Sequence, residues 1–238
     1  MVTAFQLSAS ENSKTVSLES WLEDCPTLFT KVVRSPIGES YPNTERLESS
    51  ISLVSTKVRV SDLNTILAEH PQDNIWRSWQ LFSDYSCSSS TFVSYVPLFI
   101  DIDNMQRDLQ KAFRLTKDCL DVLHNKYQYF SSDNLRIVFS GMKGFHIEIK
   151  PKEPFDNTIL RDKLLNGLIE KGLKYIDATN NFECGVIDPL SHSDIRVTGS
   201  LNSWRDNGIL KYRRVIQLSL DDFQNSRVED IILKSETA

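Results

Sequence analysis

Two aspartates, Asp101 and Asp103, stand one residue apart at the end of the apolar run VPLFI, in the stretch FIDIDNMQ. Side chains alternate along a strand, so both carboxylates fall on one face, their backbones roughly 6 to 7 Å apart. Such a pair repels itself unless protonated, solvated or bridged by a cation. Paired Mg2+ or Mn2+ ions about 3.5 to 4 Å apart are the common solution in phosphoryl-transfer enzymes. A DxD also ends strands or caps helices with no further role, so its meaning depends on what else the chain supplies.

A second group lies in FSGMKGFHIEI, residues 139–149. Gly141 and Gly144 permit a tight turn and a close backbone approach, Ser140 offers a hydroxyl, Lys143 a point charge and His146 a ring donor. These suit a polyphosphate; the alternative is a glycine hairpin with a solvated lysine and a half-buried histidine. GxxxxGK[ST] is absent, so this is not a Walker loop. A third group is GVIDPLSHSDIRVTGSLNSW, residues 185–204, where Asp188 follows an apolar pair and Arg196 sits in IRV. There TGSLN adds Ser200 and Asn202 as small polar donors; the alternative is a polar loop in which Asp188 caps Pro189. Asp194 competes with Asp188 as a third acid. Asp188 is favoured because it ends an apolar strand as Asp101 does, and His192 reads as a surface loop residue.

Positioning these groups requires a sheet. YVPLFIDID reads as a buried strand, and residues 104–130 show apolar positions at helical spacing without Gly or Pro. LRIVF and FHIEIK flank SGMKG as a hairpin, residues 157–176 read as a helix, VIDPLSHSDIRVTGSLN as strand and loop, and YRRVIQLSL as a final strand. The order predicts an α+β protein of split βαβ type with helices on one face of the sheet. Before it, residues 1–75 are polar with helix-like stretches LESWLEDC and VSDLNTILAEH, WRSWQLFSDYS suggests a strand, and SCSSST a loop.

The chain has 238 residues, 40% hydrophobic and 25% charged, enough for one large domain or two closely joined ones. Four scattered cysteines without a CxxC pair indicate neither a disulfide framework nor a structural zinc site. The net charge of -5 argues against a surface that binds polyanions everywhere and leaves room for a local basic groove. The apolar runs are far short of the ~20 residues of a membrane span and the first 20 residues lack a signal-peptide core, so an intracellular protein of cytoplasm, nucleoid or nucleus, with no membrane partner, is expected.

Taken together, apolar-strand DID, then SGMKGFH, then D followed by IRVTGSLN resembles the three motifs of the archaeo-eukaryotic primase superfamily, which includes the primase small catalytic subunit and primase-polymerases. The resemblance covers about 101–202, and SGxKGFH and RxxGSLN are more specific than DxD. It implies an RRM-like antiparallel catalytic sheet over 96–238 with an N-terminal α/β module over 1–95 packed against it. It implies that Asp101, Asp103 and Asp188 hold two Mg2+ or Mn2+ ions for attack of a 3′-hydroxyl on an α-phosphate. Ser140, Gly141, Lys143, Gly144, His146, Arg196, Ser200 and Asn202 would line the triphosphate pocket. Arg77 resembles a family position near nucleotide or template. Within WRDNGILKYRR, residues 204–214, Trp204, Arg205, Lys211, Tyr212, Arg213 and Arg214 have the chemistry to hold a single-stranded DNA template, or form a solvated hairpin. The family's zinc knuckle, helicase segment and iron-sulfur cysteines have no counterpart, which favours a compact core or a fragment of a longer primase-polymerase that works with an accessory subunit or appended domain.

The implied activity is a template-directed nucleotidyltransferase acting on nucleoside triphosphates. A metal-dependent nuclease could use the same carboxylates but has less use for a triphosphate pocket. An inert nucleic-acid-binding module would ignore metal, and the paired-aromatic RNP stretch of RRM binders is absent.

Overall fold

The computed structural model describes residues 22, 27–35, 54–104, 106–126, 134–150, 166, 175–176, 184–187 and 194–237. The protein is α+β, built on two sheets whose strand pairs are mostly antiparallel. The sheet that carries the acids is formed by β6 (Leu98–Asn104), β7 (Leu135–Phe139), β8 (Gly144–Ile149), β9 (Tyr175–Ile176), β10 (Cys184–Ile187) and β14 (Ile216–Leu218), in the order β14-β7-β8-β6-β10-β9.

Alternation gives this sheet two unlike faces. Ile100, Ile102, Phe145, Ile147, Ile137 and Phe139 are at most 2% exposed and lie in one core cluster with Phe113, Leu120, Phe223 and Ile231 from the helices. Those helices are α2 (Leu109–Lys126), α3 (Leu220–Asn225) and α4 (Val228–Thr237). Phe113, Phe145 and Phe223 meet with ring centroids 4.6 to 5.9 Å apart, a geometry that adds to their burial. The opposite face of the same strands is polar, with Asp101 and Asp103 on β6, His146 and Glu148 on β8 and Arg136 on β7.

The strand-to-helix passage after the acids is fixed locally. The buried Asn104 side chain accepts hydrogen bonds from the backbone N–H groups of Gln106 and Asp108, both at 2.9 Å. Asp108 in turn accepts from Lys111 N at 3.1 Å, capping the start of α2. The chain therefore turns sharply out of β6, and α2 runs back beneath the sheet.

The other sheet contains β1 (Phe29–Ser35), β2 (Val54–Arg59), β3 (Asn74–Ser78), β4 (Gln80–Phe82) and β5 (Phe92–Tyr95) from the first part of the chain. It also contains β11 (Asp194–Arg196), β12 (Leu201–Asp206) and β13 (Ile209–Arg214) from the last part. The passage from one sheet to the other falls between β5 and β6, and residues 194–214 return to the first sheet. α1 (Leu63–Glu69) covers a smaller core of Val32, Val60, Leu63, Ile75, Leu81, Val96 and Val197.

Two expectations about elements change. YRRVIQLSL is two strands in different sheets, because Val215 interrupts the pairing and its N–H donates to Ser200 O at 2.9 Å. Its second half, β14, is the final strand of the chain, and α3 and α4 follow it. Tyr175 and Ile176 form a strand beside β10, although the helix expected over 157–176 includes them; of the rest of that span only the helical residue 166 is described. LESWLEDC lies outside the described residues except Leu22. No helix among the described residues is long and apolar enough to cross a membrane.

Candidate nucleotide and metal site

Asp101 and Asp103 project from the polar face of β6, opposite His146 and Gly144 of β8 respectively. The hairpin register therefore places the second sequence group directly beside the first. Lys143 Nζ lies 2.5 Å from Asp103 Oδ2, and His146 Nε2 lies 3.5 Å from Asp101 Oδ1. Gly144 is required here by contact: a Cβ on it would overlap the Ile102 carbonyl oxygen and the Asp103 carboxylate. Gly141 has φ +86, and a Cβ there would come within 2.9 Å of Asn202 Cβ, so the turn both bends left-handed and presses against β12.

Burial of Asp103, at 4% exposure, with the neighbouring Asp101 charge raises its pKa to about 6, against the opposing pull of Lys143 and His146. Arg196, on β11 of the other sheet, lies within the electrostatic range of the same pair. Burial lowers its pKa to about 10, while Asp103 and Asp101 oppose that shift, so the guanidinium stays charged at neutral pH. Its Cζ sits 4.4 Å from the Trp76 ring centroid, with Trp76 its cross-strand partner on β3. Its Nη1 is buried without a hydrogen-bond partner among the described residues. A fixed cationic donor with an unused N–H, beside two carboxylates, is equipped to take an anionic oxygen.

The remaining residues singled out in the sequence divide by what already occupies them. Ser140 Oγ donates to Gly144 O at 3.0 Å and so closes the turn. Ser200 Oγ donates to Val197 O at 2.6 Å, fixing the turn after β11. Asn202 Nδ2 donates to Ser140 O at 2.6 Å, tying the two sheets together, and its Oδ1 is buried without a partner among the described residues. Arg77 is fully buried, with Nη1 donating to Ser78 O at 2.8 Å and Nη2 to Val96 O at 2.7 Å, so it holds the β3-to-β6 path in place. Asp188 lies outside the described residues; β10 ends one residue before it, at Ile187, which pairs with Asp101. Asp194 is described as backbone of β11, and its side chain lies outside the described set.

The β12–β13 hairpin borders a cleft of about 470 Å³ lined by Leu201, Trp204, Lys211, Tyr212, Arg213 and Arg214, with Glu236 from α4. Its cations already have partners: Lys211 with Asp206 at 2.6 Å, Arg213 with Glu236 at 3.0 Å and over the Trp204 ring, Arg214 with Gly199 O at 2.9 Å. Tyr212 is 58% exposed. The side chain of Arg205 lies outside the described set.

Sequence reasoning missed Trp76, Arg136 and Glu148. Trp76 appears in WRSWQLF only as an aromatic, and its role is visible once β3 and β11 are paired. Arg136 Nε donates to Glu148 Oε2 at 2.7 Å, Nη2 lies 2.6 Å from the same oxygen in an ion pair, and Nη1 donates to Gln217 Oε1 at 3.0 Å. Glu148 Oε1 stands 4.0 Å from His146 Nδ1, so this buried pair borders the site. Removing one partner strands the other charge: Arg136→Met is expected to cost about 3–5 kcal/mol in urea unfolding, and adding Glu148→Leu to recover most of it.

A cation-binding role can be tested against the donor set. Two carboxylates on one face, one of them buried with its charged form disfavoured, fit a hard divalent ion with oxygen preference. Among the described residues no three His, Cys, Asp or Glu side chains gather tightly enough to enclose an ion. Cys87 and Cys119 are buried and unbridged.

No family model matches the chain, and no curated protein matches it. Among solved structures it is similar to the AEP domain of the cyanophage S-2L primase-polymerase (PrimPol), with a TM-score of 0.47 and 13% sequence identity over 92% of this chain and 94% of that one.

Proposed function

We propose that the chain is a template-directed nucleotidyltransferase of primase or primase-polymerase type, joining nucleoside triphosphates on a single-stranded DNA template. The observation that carries this reading is the Asp101–Asp103 pair with Lys143, His146 and Arg196 gathered around it from three strands and a turn of two sheets. A carboxylate pair suits a divalent cation, and three cationic or donor side chains beside it suit a polyphosphate. A hydrolytic site for plain phosphodiesters has less need of so many phosphate donors.

Asp101, Asp103 and the proposed third acid Asp188 would hold two Mg2+ or Mn2+ ions, which supply positive charge to the attacking hydroxyl and the departing pyrophosphate. The chain's own residues do the rest. Arg196, held over the Trp76 ring, would present its unused N–H to a phosphate oxygen without having to reorganise. Lys143, now on Asp103 Oδ2, is placed to exchange that carboxylate for a phosphate when the carboxylate turns to a cation. His146 sits between Asp101 and Glu148 and can donate to the same triphosphate. Gly141 and Gly144 keep side chains out of the turn, Ser140 and Asn202 fix its shape, and Ser200 fixes the turn after β11. We assign residues 1–95 to a module that packs against an RRM-like catalytic module over 96–238, with 194–214 spanning both. Template contact is assigned to Tyr212 and the cleft beside it, with Trp204, Arg205, Lys211, Arg213 and Arg214, and Arg77 as support beneath.

Thermal unfolding with Mn2+, nucleoside triphosphate, and both together tests the reading. The two ligands together are expected to raise the midpoint by more than the sum of each alone, and Asp101→Asn/Asp103→Asn to abolish the excess. Additive shifts, or an excess that survives the double variant, would count against it. Arg196→Lys keeps the charge but loses the stack and the fork, so KM for the nucleotide is expected to rise about ten- to a hundredfold, the range for losing a charged hydrogen bond of about 1.5–3 kcal/mol, with little change in the midpoint of unfolding.

A further inference from the structure

The face of the first sheet that bears Arg196 does not end there. Across the strands from Arg196 come Trp76, then Val33, then Ser55, each the cross-strand partner of the one before. Two residues further along β1 and β2, on the same face, Lys31 stands directly opposite Lys57, and two beyond that Phe29 stands opposite Arg59. Phe82 of β4 joins this face as the partner of Phe29.

These side chains form an alternating lattice of cations and rings. Arg59 Cζ lies 5.6 Å from the Phe29 ring centroid, Lys31 Nζ 5.6 Å from Phe82 and Lys57 Nζ 5.8 Å from Tyr85. Phe29 meets Tyr85 edge-on at 6.1 Å, and Tyr85 is 60% exposed. Like charges directly opposite on a sheet are destabilising. Nevertheless Lys31 faces Lys57, and none of Lys31, Lys57 and Arg59 forms an ion pair with a described carboxylate. Lys57 Nζ instead donates to Ser86 O at 2.8 Å, and Asp84, whose pKa is lowered first by Ser86, feels Lys57 only as a minor influence. The chain as a whole carries -5, so three cations on one strip without a described carboxylate partner set this surface apart.

We propose that this strip, Phe29, Lys31, Lys57, Arg59 and Tyr85, is a binding track for single-stranded nucleic acid that continues from the Arg196 site. By strand spacing and rise it begins roughly 12 Å from Arg196 and extends away from it. Cations would contact phosphates, while the exposed Tyr85, backed by the partly buried Phe29, offers ring surface to bases, the pairing that single-strand binders use. An acidic peptide would use the cations but would have no need of rings between them.

The experiment measures anisotropy of a labelled twelve-residue oligo-dT over a salt series, with nucleotide and Mn2+ binding measured separately on the same proteins. Lys31→Glu/Lys57→Glu is expected to weaken oligo-dT at least tenfold and to lower the slope of log affinity against log salt by about 1.4, two phosphate contacts at about 0.7 each for single strands. Tyr85→Ala is expected to weaken it about fivefold or more at unchanged salt slope. Lys117→Glu/Lys234→Glu, with the same charge change elsewhere, should leave it within twofold. The inference is overturned if the track variants bind oligo-dT as wild type does, or if polyglutamate of equal length binds wild type as tightly as oligo-dT. Nucleotide and Mn2+ binding that persists while oligo-dT binding is unaffected by the track variants would sink the track and leave the proposed function standing. Loss of oligo-dT binding in a protein that takes no nucleotide would do the reverse.

Discussion

Asp103→Asn is expected to unfold at a higher temperature than the wild-type protein at pH 8 while losing nucleotide incorporation. The carboxyl is buried beside Asp101, and its pKa of about 6 stands well above the 3.8 of the unfolded chain. Below about pH 4 both states carry the proton and the group contributes no penalty. Between about 4 and 6 the folded state holds a proton that the unfolded state has released, so stability falls as pH rises, and above 6 the full penalty is present. At 1.36 kcal/mol for each pKa unit the penalty is up to about 3 kcal/mol, which for a chain of this length corresponds to roughly 6–12 °C. Asn removes it, and Lys143, whose side chain is 28% exposed, can turn to water when its partner charge is gone. Wild type should therefore lose stability across pH 4 to 6 where Asp103→Asn stays comparatively flat, as calorimetric scans at a series of pH values would show. A variant less stable than wild type at pH 8 would mean that the Lys143 pair outweighs the burial of Asp103.

Gly144→Ala is expected to be among the most damaging single methyl additions in the protein. The added carbon would overlap the Ile102 carbonyl and the Asp103 carboxylate, and neither can retreat: Ile102 is a core residue of the central strand, and Asp103 lies under Lys143. Relief requires β8 to move away from β6 at the point where the two acids are set, so fold and site suffer together. A cost of about 3–5 kcal/mol is expected, at the upper end for overpacking, with a fall of about 10 °C in the unfolding midpoint. Gly141→Ala meets only a Cβ and a carbonyl edge and adopts a disfavoured φ, so about 1–2 kcal/mol is expected. Equal effects at the two glycines in denaturant titrations would contradict the close approach at Gly144.

The strand of the acids, the helix after it and the SGMKG hairpin are legible in sequence because each combines a clean apolar period with a definite turn. The α+β class follows from their order. β1 is harder to read: it faces Thr30 and Val32 inward and Phe29, Lys31 and Val33 outward, so apolar side chains stand on both faces and blur the alternation. β2 presents Lys57 and Arg59 on its face and reads as polar chain. The division of YRRVIQLSL between two sheets is decided by Val215, which looks like one more strand residue in sequence. The grouping of Asp101, Asp103, Lys143 and His146 could be seen in sequence because all four lie on one hairpin and its neighbour. The placement of Arg196 beside them, and of Trp76 beneath it, depends on strands 120 residues apart in number being paired, which no local pattern encodes.

The most direct test of the central claim is extension of a labelled primer on single-stranded DNA with Mn2+ and each nucleotide set, beside a lane with template alone. Wild type is expected to add nucleotides with release of pyrophosphate, and Asp101→Ala/Asp103→Ala to lower that rate at least a thousandfold while remaining folded. Products in the template-only lane would extend the activity to priming. Shortening of the primer without nucleotides would identify a nuclease instead, and folded wild-type protein that binds DNA but neither lengthens nor shortens the primer under any nucleotide set would contradict the account.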